Sequence, residues 1–146
     1  MPNVIGIDHI YITVTNVEHS TKFYDQLMAI LGFRKGTFTL NDETHVQYYN
    51  RHFSYVLRPA HANNKYDPYA LGLHHFCMRV ENEAEVLEVA NMLKEKGIEV
   101  SEPKLYPEYA FDYFSVFVTD PDGIYLEITN FRQERRERHD NWEHMP

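Results

Sequence analysis

His75-Phe76-Cys77-Met78-Arg79-Val80 repeats a frame already used by His9-Ile10-Tyr11-Ile12-Thr13-Val14. Each segment opens on histidine and closes on valine. In the first, Ile10, Ile12 and Val14 alternate with His9, Tyr11 and Thr13, so residues 8–15 read as a strand with one apolar and one semi-polar face. The next stretch of chain repeats as well. Asn16 and Asn82 are candidate helix caps, and Gly32 and Gly97 supply the left-handed residue that ends a helix. His9 and His75 are 66 residues apart, Gly32 and Gly97 are 65 apart. Two separate landmarks thus agree in offset to within one residue, which predicts an internal duplication of a β-α-β-β-β unit.

In the first copy a helix is predicted over 17–31, with Phe23, Leu27 and Ile30 or Leu31 as its buried stripe. Strands are predicted at 33–40, 45–50 and 53–58, with Asn41-Asp42 and Asn50-Arg51-His52 as turns. The polar segment 59–71 reads as a linker. In the second copy the helix buries Val86, Val89, Ala90 and Leu93, with Glu83 and Glu85 in its first turn. Strands are expected at 98–101, 114–119 and 124–130, with a loop over 103–112. The charged tail, 131–146, reads as a solvated terminal helix. The boundaries are module 1 at about 5–58, module 2 at about 72–130, and a single domain over 1–146.

Net charge is −8, which argues against nucleic acid or an anionic membrane as partner. The exception is the cluster of Arg132, Arg135, Arg136 and Arg138. A single cysteine excludes an internal disulfide and fits a reducing compartment. The N-terminus lacks the pattern of a secretory signal, and no stretch approaches the roughly 18 apolar residues of a membrane span. A cytoplasmic protein is expected. Eleven tyrosines suggest a pocket lining or an interface.

Asp120-Pro121-Asp122-Gly123 is a tight turn feeding the strand Ile124-Tyr125-Leu126-Glu127-Ile128, which places a lone carboxylate mid-strand. A buried charge needs a partner. Two imidazoles and one carboxylate, from His9, His75 and Glu127, suit a single divalent first-row metal with open positions for substrate. Fe, Mn, Zn and Ni all fit such a set. Taken singly, each histidine is more simply a hydrogen-bonded strand residue; the duplication makes the pair correspond. His74 competes with His75, but strand alternation puts the two on opposite faces, and only His75 shares the His9 frame. His45, His52 and His61 lack that frame and read as surface residues.

Parity places Tyr11 and Thr13 on His9's face, Cys77 and Arg79 on His75's, and Tyr125 and Thr129 on Glu127's. Tyr11 and Tyr125 are therefore candidate catalytic residues, with cross-strand packing as the plainer role. Cys77 and Arg79 are candidate substrate-binding residues. Their plainer roles are a small buried hydrophobe and a solvated cation.

Asp8-His9-Ile10, Phe23-Tyr24 with Leu31-Gly32-Phe33, Gly72-Leu73-His74-His75-Phe76 and Asp120-Pro121-Asp122-Gly123 with Leu126-Glu127 together resemble the vicinal oxygen chelate superfamily. That group includes glyoxalase I, bleomycin-resistance and fosfomycin-resistance proteins and extradiol dioxygenases. The resemblance covers about residues 5–130 and is greatest to a bacterial glyoxalase-like subgroup. It implies an α+β fold of two βαβββ modules, helices outside, whose sheets curl round a metal-binding cavity. It also implies His9, His75 and Glu127 as ligands. Glyoxalase I adds a second glutamate on the last strand of the first module, and residues 53–58 contain no acid.

The implied activity is that of a metal-dependent lyase, isomerase or dioxygenase. Its small substrate would bind through two adjacent oxygens, and the metal would stabilise an oxyanion or enolate. Alternatives within the resemblance are an Fe(II) extradiol-type dioxygenase, a fosfomycin-type thiol transferase and a non-catalytic small-molecule binding or resistance protein. Relatives of this kind are often dimers, so a homodimer is a further expectation.

Overall fold

The computed structural model describes residues 1–146. The chain divides into two units, Met1–Tyr66 with Asp120–Gly123, and Asp67–Thr119 with Ile124–Pro146. No helix is long and apolar enough to cross a membrane.

The first unit contains β1 (His9–Val14), α1 (Val17–Ile30), β2 (Arg34–Leu40), β3 (Glu43–Tyr49) and β4 (Ser54–Pro59). The sheet order is β1-β4-β3-β2, with β1 parallel to β4 and the other pairs antiparallel. Asn16 caps α1 by accepting from His19 N at 2.8 Å. Gly32, at φ 77°, ends the helical turn. Asn41 and Asp42, both at positive φ (52° and 62°), make the β2–β3 hairpin turn, a conformation these two residue types tolerate.

The buried side of α1 is Ser20, Tyr24, Leu27 and Met28. Phe23, Ile30 and Leu31, expected in the stripe, are only half-buried. The helix is rotated by about one residue from the expectation because Tyr24 finds polar partners inside. Its Oη donates to Asp120 Oδ2 at 2.8 Å and lies 3.1 Å from Tyr55 Oη. A tyrosine can be buried when its hydroxyl is satisfied. The Asp120–Gly123 turn belongs to this unit, and Asp122 Oδ2 also accepts from Thr15 N at 2.9 Å.

The second unit repeats the plan: β5 (Phe76–Val80), α2 (Glu83–Glu95), β6 (Lys104–Leu105), β7 (Phe114–Thr119) and β8 (Tyr125–Asn130), in sheet order β5-β8-β7-β6. Again the first strand runs parallel to the last. Asn82 caps α2 through Glu85 N at 3.0 Å, and Gly97 takes φ 73°. Val86, Val89, Ala90 and Leu93 are buried as their spacing predicted. The tail forms α3 (Gln133–Asp140) and a 3₁₀ turn (Trp142–His144), neither with a buried residue.

The expected strand at 98–101 is a single bridge, Val100 to Val118, and the paired segment β6 falls inside the expected loop. Four residues separate Val100 from Lys104, but three separate Val118 from Ser115. The extra residue marks a bulge between Val100 and Lys104, a stretch that contains Pro103, which has no N–H for the ladder.

The architecture is α+β, two four-stranded mixed sheets each with the βαβββ order. The ladders match between units. Tyr11 pairs with Val56 in the first, Cys77 with Glu127 in the second. Tyr11 and Cys77 each stand two residues after their histidine, so Val56 occupies the place that Glu127 holds.

Candidate metal centre

Glu127 sits mid-strand on β8 between neighbours Leu126 and Ile128, which are buried with the core. Strand alternation turns its side chain to the other face, shared with Cys77 and Phe117 on the same rung and with Arg79, Thr129 and Ser115 on the next. Only 3% of Glu127 is exposed. Its carboxylate is satisfied on one side: Tyr113 Oη donates to Oε1 at 2.5 Å, and Ser115 Oγ donates to the same atom at 2.7 Å. The other oxygen, Oε2, lies 3.2 Å from His75 Nε2. Two donors on one oxygen and an imidazole on the other hold the carboxylate in one orientation.

Tyr113 is positioned by the end of β8. Asn130 donates from Nδ2 to Asp112 O at 2.8 Å, and its Oδ1 accepts from Phe114 N at 3.1 Å. Burial, followed by the hydrogen bond to Glu127, raises the Tyr113 pKa, so the phenol stays a donor. The Arg132 guanidinium lies over its ring at 4.3 Å. The Cys77 thiol is pushed up mainly by burial and then by the Glu127 charge. Cys77 nevertheless keeps exposed surface, so it is not the buried hydrophobe of its plainer role.

His75 precedes β5 rather than opening it. Its Nδ1 lies 2.8 Å from His74 Nδ1, one nitrogen donating to the other. The expectation that His74 and His75 occupy opposite faces therefore fails: alternation starts only at Phe76, and the two rings touch. In the first unit, His9 Nδ1 donates to Asp8 Oδ2 at 2.6 Å. Both candidate ligand histidines thus engage Nδ1 with the preceding side chain, and Nε2 of His75 faces Glu127 Oε2. Metal-binding imidazoles have their second nitrogen fixed in this way.

The structure brings together two of the three expected ligands, His75 and Glu127, within the second unit. His9 belongs to the first. No group of three or more His, Cys, Asp or Glu side chains is gathered tightly enough to hold a metal ion. The donor chemistry of the pair fits a divalent cation: a buried carboxylate oxygen beside an imidazole Nε2, each braced from behind.

Tyr125 stacks on Phe117, with ring centroids 5.1 Å apart, and lies 6.5 Å from the His75 ring. Tyr11 is edge-on to His9 at 5.3 Å and to His45 at 6.1 Å. Arg79 is exposed, with its guanidinium over the Phe131 ring at 3.8 Å. His45 is a correction: expected at the surface, it is fully buried, stacked on Phe38, with Nδ1 3.0 Å from Glu43 O. It lies within β3, with its side chain on the face opposite Val46. His61 is exposed and paired with Glu43, which also receives Arg58 at 2.9 Å.

No role for Tyr113 or Ser115 is assigned from the sequence, and Arg132 stands among several arginines that follow Glu127 without being singled out. Ser115 carries a usable signal, a polar residue within the apolar run Phe114–Thr119. Tyr113 carries none, because it reaches Glu127 from outside a strand, and nothing in the spacing separates Arg132 from its neighbouring arginines.

Over residues 6–128 the sequence matches the Glyoxalase/Bleomycin resistance protein/Dioxygenase superfamily. The chain belongs to that superfamily. Solved structures agree in fold. A glyoxylase/bleomycin resistance protein/dioxygenase domain from Frankia sp. EAN1pec is 21% identical, with TM-score 0.72, over 89% of this chain and 100% of that one. Lactoylglutathione lyase from Agrobacterium tumefaciens is 23% identical, with TM-score 0.61, over 88% and 94%. A fosfomycin resistance protein from Listeria monocytogenes is 16% identical, with TM-score 0.65, over 92% and 99%. No curated protein matches the sequence. As a superfamily member, the chain shares its scaffold with lyases, dioxygenases and resistance proteins, while its reaction depends on the side chains it places on that scaffold.

Proposed function

We propose that this superfamily member is a metalloenzyme acting on a small substrate that binds through two adjacent oxygens. His75 and Glu127 are two ligands of one divalent metal ion, and His9 is the third. The observation that carries the reading is the Glu127 carboxylate. It is buried, doubly hydrogen-bonded on Oε1, and turned with Oε2 toward His75 Nε2. A buried carboxylate held this way is pre-organised for a cation at low reorganisation cost.

When bound, the metal supplies Lewis-acid stabilisation of an oxyanion or enolate. Tyr113 and Ser115 keep Glu127 oriented. His74 and Asp8 keep the Nε2 edges of His75 and His9 available. Tyr125, beside His75, is the candidate to hold or move a proton of the substrate; Tyr11 is the corresponding residue beside His9. Because Val56 stands at the Glu127-equivalent position, Glu127 is the only carboxylate in the ligand set. That leaves the metal more open than a two-histidine, two-glutamate site.

The test is metal analysis of protein grown in metal-rich medium, with His9→Ala, His75→Ala and Glu127→Gln beside wild type. Stoichiometric divalent metal in wild type, lost in each variant, is expected. Wild type without metal would sink the enzyme reading and favour a non-catalytic binder. Oxygen uptake by the Fe(II)-loaded protein with a panel of catechols separates dioxygenation from lyase or isomerase chemistry.

A further inference from the structure

Five of this acidic protein's fourteen Lys and Arg residues are Arg79, Arg132, Arg135, Arg136 and Arg138, and three of these gather round two aromatic rings. Arg79 lies over Phe131 at 3.8 Å, Arg136 over the same ring at 4.2 Å, and Arg132 over Tyr113 at 4.3 Å. Their neutralisation is uneven. Arg136 pairs with Glu81 Oε1 at 2.7 Å and also donates to Phe131 O and Glu81 O. Arg132 is 7% exposed, yet its one ion pair is a 3.6 Å approach of a terminal guanidinium nitrogen to the exposed Glu134. Its Nε is buried with no hydrogen-bond partner. Arg79 forms no ion pair, although the Glu81 charge partly offsets burial and the charges of Arg132 and Arg136, which together lower its pKa.

A buried guanidinium with an unfilled donor, beside a second unpaired one, is unfavourable unless an anion completes it. Guanidinium forks suit planar or tetrahedral oxyanions. The position is specific too. Arg79 pairs with Thr129, two residues along from the Cys77–Glu127 rung and on the same face. That is a step of about 7 Å along the strand. Arg132 covers the Tyr113 ring whose hydroxyl holds Glu127.

We infer that Arg79 and Arg132 form an oxyanion subsite, and that the substrate carries a carboxylate or phosphoryl group about one small-molecule length from its metal-binding oxygens. The subsite itself needs no metal; its place in catalysis rests on the proposed function.

The test tracks the arginine Nε–H signals by NMR in metal-free protein while inorganic phosphate or acetate is added at constant ionic strength. A saturable shift with phosphate, acetate or both is expected, the preferred probe identifying the phosphoryl or carboxylate class. Arg79→Gln, an exposed position that leaves folding intact, should weaken binding at least about tenfold, the scale of one lost charged hydrogen bond. Arg135→Gln should leave it unchanged. No saturable shift with either anion, or equal affinity in Arg79→Gln, overturns the subsite. Metal content of the same preparations separates the two readings. Anion binding without metal uptake defeats only the proposed metalloenzyme, and metal uptake without anion binding defeats only the subsite.

Discussion

Tyr24 shows how a polar atom can decide a core position. Its ring is fully buried, and its hydroxyl donates to Asp120, itself 4% exposed. Burial is the chief cause of its raised pKa. Removing the hydroxyl takes one donor from a buried carboxylate. Tyr24→Phe should therefore lower stability by about 1.5–3 kcal/mol, the range for hydrogen bonds to charged groups. Urea denaturation measures this, and an unchanged midpoint would show that the bond contributes nothing net. Glu127 obeys the same logic with a functional result. Its charge was legible in the sequence as an anomaly within an apolar strand. The two hydroxyls that satisfy it were not, because Tyr113 and Ser115 reach it from a loop and a neighbouring strand.

At the scale of elements, the two helices are equivalent by sequence and nearly so in structure. Each opens on an asparagine whose side chain accepts from a backbone N–H of the first turn. Asn16→Ala and Asn82→Ala should each cost about 1 kcal/mol. The caps share no partners, so the double variant should lose the sum. A loss well below the sum would reveal coupling that the hydrogen bonds do not contain. The stripe of α2 was legible in its apolar spacing, whereas α1 offered two adjacent stripes. Phe23 and Ile30 are at least as apolar as Tyr24 and Met28, and only the partners waiting for the Tyr24 hydroxyl distinguish the two rotations. The strand expected at 98–101 is reduced to the Val100–Val118 bridge and the bond from Ser101 N to Phe117 O, and regular pairing with β7 resumes only beyond Pro103, which has no N–H for a ladder.

Across the whole molecule, tyrosines carry much of the polar burial. Tyr24, Tyr48, Tyr55, Tyr106, Tyr113 and Tyr125 all have raised pKa values, with burial the leading cause in each. A folded pKa above the unfolded value of 10.0 gives stability that is fully present below pH 10 and declines as pH rises above it. Alkaline unfolding should therefore begin above about pH 10. Tyrosinate absorbance should show a late fraction that appears together with loss of near-UV circular dichroism. Ionisation of every tyrosine near pH 10 with the fold intact would contradict this.

The sequence by itself determined the duplication, the βαβββ order of each unit, the helix caps and the histidine and glutamate candidates. These rest on periodicity, turn chemistry and repeated spacing, which are local properties that survive without knowledge of neighbours. Only the tertiary structure decided that His45 is buried, that His74 and His75 touch, that Tyr113 and Ser115 hold Glu127, and that Arg132 is sequestered with an unfilled donor. Each of these depends on which groups from distant parts of a unit meet, and burial and hydrogen-bond satisfaction are set by that meeting rather than by the residue's own place in the chain.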